Sequence, residues 1–150
     1  MPPLNGIERG INGSLLKALE ELGHGDRIVV VDPSYSIPEN ANRLDFQGDS
    51  SARALRGILE LVPIDSTITI MAPDPPAKGC EATIRFREAT KTLSPEPPFY
   101  EIPRLSESAE DGTAGFYELV NELEYPTLFV RTRDKLAYAC ATFIVGHSQD

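Results

Sequence analysis

Four consecutive β-branched residues, Ile28-Val29-Val30-Val31, restrict this chain more than any other stretch of it. The run offers no polar face, so it suits a strand covered on both sides. Strands of that kind lie inside sheets with layers packed above and below, which points to an α/β architecture. Asp32 and Pro33 close the run. Ahead of it, Leu15, Leu16, Leu19 and Leu22 recur at helical spacing and predict a helix from about Ser14 to Leu22. Gly23 suits the left-handed residue that ends such a helix.

The same reasoning places the other elements. Pro33 to Asn42 is rich in breakers and reads as a loop. Ser50 or Ser51 starts a second helix, with Leu55, Ile58, Leu59 and Val62 as its apolar stripe and Ser50 as its cap. Thr67 to Met71 reads as a strand. Ala72 to Gly79, with three prolines and a glycine, reads as a stiff surface connection. Cys80 to Leu93 fits a helix through Ala82, Phe86, Ala89 and Leu93, although Thr83-Ile84-Arg85-Phe86 also alternates as a strand would; the helix is favoured. Phe99 to Ile102 is a short strand. Phe116, Leu119, Val120 and Leu123 mark a further helix, introduced by an acidic loop around Glu110 and Asp111. Thr127 to Arg131 and Tyr138 to Val145 are extended, joined by a turn containing Arg133 and Asp134. The expected fold is a single α/β domain, a layered sheet with helices packed on it. Residues 1–12 form an N-terminal extension to it, and residues 147–150 a C-terminal tail.

A net charge of -9 argues against a nucleic-acid partner, because phosphate backbones are bound by clustered Lys and Arg. Arg131, Arg133 and Lys135 are the candidates for a basic patch, and Asp134 interrupts them. No apolar run approaches the roughly 20 residues of a membrane helix. The first residues lack the basic head and apolar core of a signal peptide. The two cysteines, Cys80 and Cys140, then fit reduced thiols in a cytoplasmic protein. No Cys/His cluster suggests a metal, and no cofactor is expected.

Chemistry in open α/β sheets gathers at the carboxyl ends of strands. His24, between Gly23 and Gly25, can trade protons near neutrality, and Asp32 is a carboxylate at the close of the valine run. Together they read as half of an acid–base site at the mouth of one strand. The plainer alternatives are that His24 is a surface turn residue and that Asp32 merely initiates a turn. Cys140, inside an apolar stretch, is either a small buried hydrophobe or a nucleophile needing a base such as His24 or His147.

Three segments carry a wider likeness: Leu22-Gly23-His24-Gly25-Asp26 with Asp32, Phe116-Tyr117-Glu118, and Val130-Arg131-Thr132-Arg133-Asp134 followed by Tyr138-Ala139-Cys140. Arg43, Asp45 and Arg85-Phe86-Arg87 fall between them in matching order. In these the chain resembles the ribose pyranase and fucose mutarotase family, and Ile64-Asp65-Ser66 and Phe116-Tyr117-Glu118 look more like its fucose branch. The resemblance implies interconversion of sugar anomers without metal or cofactor, on a monosaccharide such as L-fucose. It also implies a homo-oligomer, commonly a decamer, with active sites at subunit interfaces. It makes His24 the proton-transfer residue and Asp32, Arg104, Tyr138 and Cys140 the substrate-binding ones. Two positions depart from the family pattern. Cys140 stands where the signature asparagine is expected, and Arg133 stands where a turn glycine is expected. The first departure leaves open a sugar-binding relative with weakened turnover.

Overall fold

Ile28 to Val31 are all fully buried in strand β1 (Arg27–Val31), as an all-apolar run requires. In the computed structural model, residues 7–73, 80–91, 98–105, 115–121 and 127–146 are described. Of residues 64–67 and 121, only the backbone is. Six strands form one mixed sheet in the order β2-β5-β1-β6-β3-β4. They are β1, β2 (Asn42–Asp45), β3 (Ile64–Ala72), β4 (Phe99–Pro103), β5 (Thr127–Arg131) and β6 (Ala141–Val145). The β2·β5, β5·β1 and β3·β4 ladders are parallel, and β6 runs antiparallel to both β1 and β3. One edge of the sheet therefore collects the carboxyl ends of β1 to β5 and the amino end of β6.

Helices α1 (Gly13–Glu20), α2 (Ser51–Leu61) and α3 (Glu81–Thr90) cover one face. Leu15 and Leu19, Leu55 and Ile58, and Ala82 and Phe86 bury there against Ile28, Val30, Ile68, Ile70 and Phe143. Each such aliphatic side chain contributes about 1.5–3 kcal/mol. Asn12 caps α1 by accepting from the Leu15 amide at 2.9 Å, and Ser50 caps α2 through the Arg53 amide at 3.2 Å. The second face is closed by the loop after β1 and by α4 (Phe116–Asn121). There Tyr35, Ile37, Phe116 and Val120 pack on Val29, Val31, Met71 and Phe129.

The layered α/β expectation holds, with corrections at several joints. Helix α1 stops at Glu20, and the left-handed glycine is Gly25 (φ 91°) rather than Gly23. Gly25 lets the chain reverse into β1 while its amide donates to the Val145 carbonyl at 2.9 Å. Strand β2 begins at Asn42, the end of the expected loop, and runs through residues for which the sequence predicts no element. It is an edge strand with mostly exposed side chains, so it shows no apolar alternation. The last strand starts at Ala141, because Tyr138 takes φ +61° and turns the chain just before it. Glu110, Asp111, Leu93, Leu123, His147 and the Pro75-Pro76 pair lie outside the described residues.

Candidate active site

Asp32 leaves the carboxyl end of β1 and is 3% exposed. A buried carboxylate needs donors, and the chain supplies them from two directions. Its Oδ1 accepts from the Ser34 amide at 3.0 Å and the Ser34 hydroxyl at 2.7 Å, which closes a tight turn through Pro33. Its Oδ2 accepts from the Ala139 amide at 3.3 Å. That last bond joins β1 to the turn before β6, 107 residues further on. Tyr138, immediately before Ala139, holds the left-handed backbone that aims this amide at Asp32. Such a conformation costs a side-chain-bearing residue about 1–2 kcal/mol.

Cys140 is completely buried beside the same carboxylate. Burial first, and then the Asp32 charge, push this thiol well above the ordinary value of 9.0. It stays neutral at physiological pH, which argues against the nucleophile reading and for a small buried group. Arg104 follows β4 at the same edge, near enough to the Tyr117 side chain for its charge to act on that phenol. The Tyr117 amide in turn donates to the Arg104 carbonyl at 3.3 Å. Burial and Cys140 raise the Tyr117 phenol, against the pull of Arg104. Tyr35 packs beside them, its ring centroid 5.2 Å from Tyr117 and 6.3 Å from Phe116. Its phenol is raised strongly by burial, with Cys140 and Tyr117 adding.

Asp32, Arg104, Tyr138 and Cys140 thus gather at one edge. His24 does not join them. It precedes β1, whereas Asp32 follows it, so the two stand at opposite edges of the sheet. The five residues of β1 alone separate them by roughly 16 Å. The reading of one acid–base pair at a single strand mouth is therefore corrected within a protomer. His24 is exposed and lines a separate cleft of about 330 Å³ with Leu19, Leu61, Pro63 and Val145.

Sequence reasoning named no role for Ser34, Tyr35 or Tyr117. The Asp32-Pro33-Ser34 turn was legible as a carboxylate two residues before a donor. Tyr35 and Tyr117 carried no such local signal, because their meeting depends on α4 folding over the loop after β1. Arg133 adopts no left-handed backbone, so the turn where the family pattern has glycine does not require one here.

Residues 5–147 match the model of the RbsD / FucU transport protein family. The chain belongs to that family. Among solved structures it is similar to the fucose mutarotase of Streptococcus pneumoniae in complex with L-fucose, at 26% identity and a TM-score of 0.68, covering 97% of this chain and 100% of that one. It is also similar to Bacillus subtilis RbsD complexed with D-ribose, at 18% identity and a TM-score of 0.68, covering 95% and 98%. FucU from Bifidobacterium longum shares 21% identity with a TM-score of 0.63, covering 97% and 100%. The six-stranded sheet with its helices is the fold of these relatives. Among the described residues, no helix is long and apolar enough to cross a membrane.

The raised thiol and phenol have a consequence for stability. In the unfolded chain Cys140 and Tyr35 titrate near 9.0 and 10.0, and in the folded chain both sit higher. Between those values the folded state holds protons that the unfolded state has lost. Stability is then complete below about pH 9 and falls as the pH rises further, by up to about 1.4 kcal/mol per pH unit for Cys140 alone. Urea midpoints between pH 8 and 11 check this, and the Cys140→Ala variant should show a shallower decline. An identical slope in the variant would assign the loss elsewhere.

Proposed function

We propose that this protein is an aldose mutarotase, with an L-fucose-like sugar as its substrate, acting in the cytoplasm. The observation that carries the reading is the convergence of Asp32, Arg104 and Tyr138 at one carboxyl edge. The fucose mutarotase similarity supports it. Opening a pyranose requires the anomeric hydroxyl to lose a proton while the ring oxygen gains one, and closure reverses both steps. A positioned acid and base suffice, and such groups contribute about 10²–10⁴-fold. In this reading the Asp32 carboxylate accepts a hydrogen bond from a sugar hydroxyl. Arg104 donates to further hydroxyls, Tyr138 shields and orients the ring, and the imidazole of His24 carries the proton.

His24 reaches that site only from another copy of the chain. The edge that carries His24 on one protomer must then face the Asp32 edge of its neighbour. A contact between two different surfaces repeats around a ring until it closes, which suits a homo-oligomer such as a decamer.

Saturation-exchange NMR on the anomer signals of L-fucose, D-ribose and related aldoses tests the activity. Exchange should rise above the protein-free rate for at least one aldose, and His24→Ala should remove most of the gain with the fold intact. A second reading, a sugar-binding relative with weakened turnover, is favoured by one observation: Cys140, fully buried beside Asp32, stands where the family pattern has an asparagine. Sugar binding without faster exchange would select it, and gain of exchange in Cys140→Asn would strengthen it. Neither binding nor exchange on the whole panel would end both.

A further inference from the structure

The end of β5 and the turn after it hold two guanidinium groups, those of Arg131 and Arg133, that the sugar chemistry leaves unused. Asp134, which interrupts this basic cluster in sequence, does not neutralise it in space. Its carboxylate is 7% exposed and turned inward, accepting from the Ser51 amide at 2.8 Å and the Leu136 amide at 2.8 Å. It therefore serves the amino end of α2, where a negative charge is favoured. Arg131 and Arg133 instead line a cleft of about 200 Å³ with Asp45, Phe46, Gln47 and Thr132. Neither arginine forms an ion pair among the described residues. Asp45 stands beside Arg131 in the β2·β5 register, yet no ion pair joins them. The Nε of Arg131 is shut off from solvent without a hydrogen-bond partner.

That nitrogen, like the Nε of Arg27 and Arg104, offers a ligand no open surface. The donors the cleft presents are therefore the terminal guanidinium nitrogens of Arg131 and Arg133, which face no anionic partner among the described residues. The Thr132 hydroxyl does not serve them, because it is held by Ser51 at 2.7 Å and the Val31 carbonyl at 3.3 Å. A group that meets them must accept several hydrogen bonds and carry negative charge. Guanidinium forks match the oxygens of a phosphate in both respects. The cavity also exceeds the roughly 30 Å³ that one water occupies in the liquid. We propose that this cleft is a phosphate-binding site.

Its position suggests two sources for the phosphate. Arg131 is paired in register with Val31, and the Thr132 amide donates to the Val31 carbonyl at 2.9 Å. The cleft thus begins one strand from Asp32, roughly 5 Å across the sheet. A phosphorylated aldose can span the two, with its ring at Asp32 and its phosphate between Arg131 and Arg133. Inorganic phosphate can occupy the cleft alone.

Titration followed by ³¹P NMR of inorganic phosphate, at constant ionic strength, tests the site on the intact assembly. Saturable binding is expected, weakened about tenfold or more in Arg133→Ala and abolished in Arg133→Glu, as loss of a charge-assisted pair requires. Arg133 is exposed, so both variants should retain wild-type thermal unfolding. No saturable binding, or equal affinity in wild type and Arg133→Ala, overturns the proposal. A hexose phosphate binding at least tenfold tighter than inorganic phosphate, with the gain lost in Arg104→Ala, assigns the cleft to a phosphorylated sugar; equal affinities assign it to free phosphate. The proposal stands on the cleft and not on the mutarotase reading. Exchange of free aldoses without phosphate binding would remove this site and leave that reading intact, and phosphate binding without exchange would do the reverse.

Discussion

Co-expression of His24→Ala and Arg104→Ala chains should yield mixed assemblies with anomer-exchange activity, although each variant alone has almost none. The expectation follows from the two edges of β1. His24 precedes the strand and Arg104 lies at the edge where the strand ends, so one protomer cannot apply both to one sugar. If a neighbour supplies His24, a site is intact whenever a chain with native Arg104 faces a chain with native His24. Random equal mixing makes that about one quarter of all sites, because each of two independent conditions is met half the time. Were both groups to act within one protomer, every site in the mixture would lack one of them, and activity would stay at the variants' level. Separately purified variants mixed without subunit exchange provide the matching control. Recovery absent from verified mixed assemblies would remove His24 from the chemistry at the Asp32 edge.

Much of this arrangement was legible because it depends on local rules. The Ile28 to Val31 run dictates a doubly covered strand whatever surrounds it. The stripe of Leu55, Ile58 and Val62 behind Ser50 likewise fixes α2. Edge strand β2 was not legible, since Asn42, Arg43 and Asp45 face solvent and only Leu44 packs inward. Its strand character comes from pairing with β5, a partner more than eighty positions away. The strand read from Tyr138 failed for a related reason. Its first residues look extended by composition, but the Asp32 carboxylate captures the Ala139 amide and bends the chain. Sequence also placed His24 near Asp32 because the two are eight positions apart. In a strand that spacing separates groups across the whole sheet, whereas in a turn it would bring them together.

Asp32→Ala should destabilise the protein by about 2–4 kcal/mol, and it is the residue whose loss most tests how the site is held. The Ala139 amide is the decisive partner. Ala139 is 1% exposed, so without Asp32 its N–H has no acceptor and little water, a cost of about 1–3 kcal/mol. The Ser34 donors lose less, because Ser34 is exposed and can turn to solvent. The anchor also sustains the left-handed Tyr138, whose backbone costs about 1–2 kcal/mol wherever it is not held. Asp32→Asn is no rescue. An amide oxygen can face Ser34 or Ala139, but its NH₂ then meets the other donor. Urea unfolding at fixed protomer concentration measures the loss, since oligomers gain stability with concentration. A second substitution separates the causes. Tyr138→Gly removes the left-handed penalty, so apart from the tyrosine's lost packing it should restore about 1 kcal/mol in the native background. In the Asp32→Ala background it should restore less, because the turn is no longer held and the penalty is already partly relieved. That difference in effect is the coupling expected of two groups that share one turn. A loss below about 0.5 kcal/mol for Asp32→Ala would mean that the Ala139 amide finds another acceptor, and that the turn before β6 shapes itself without the carboxylate.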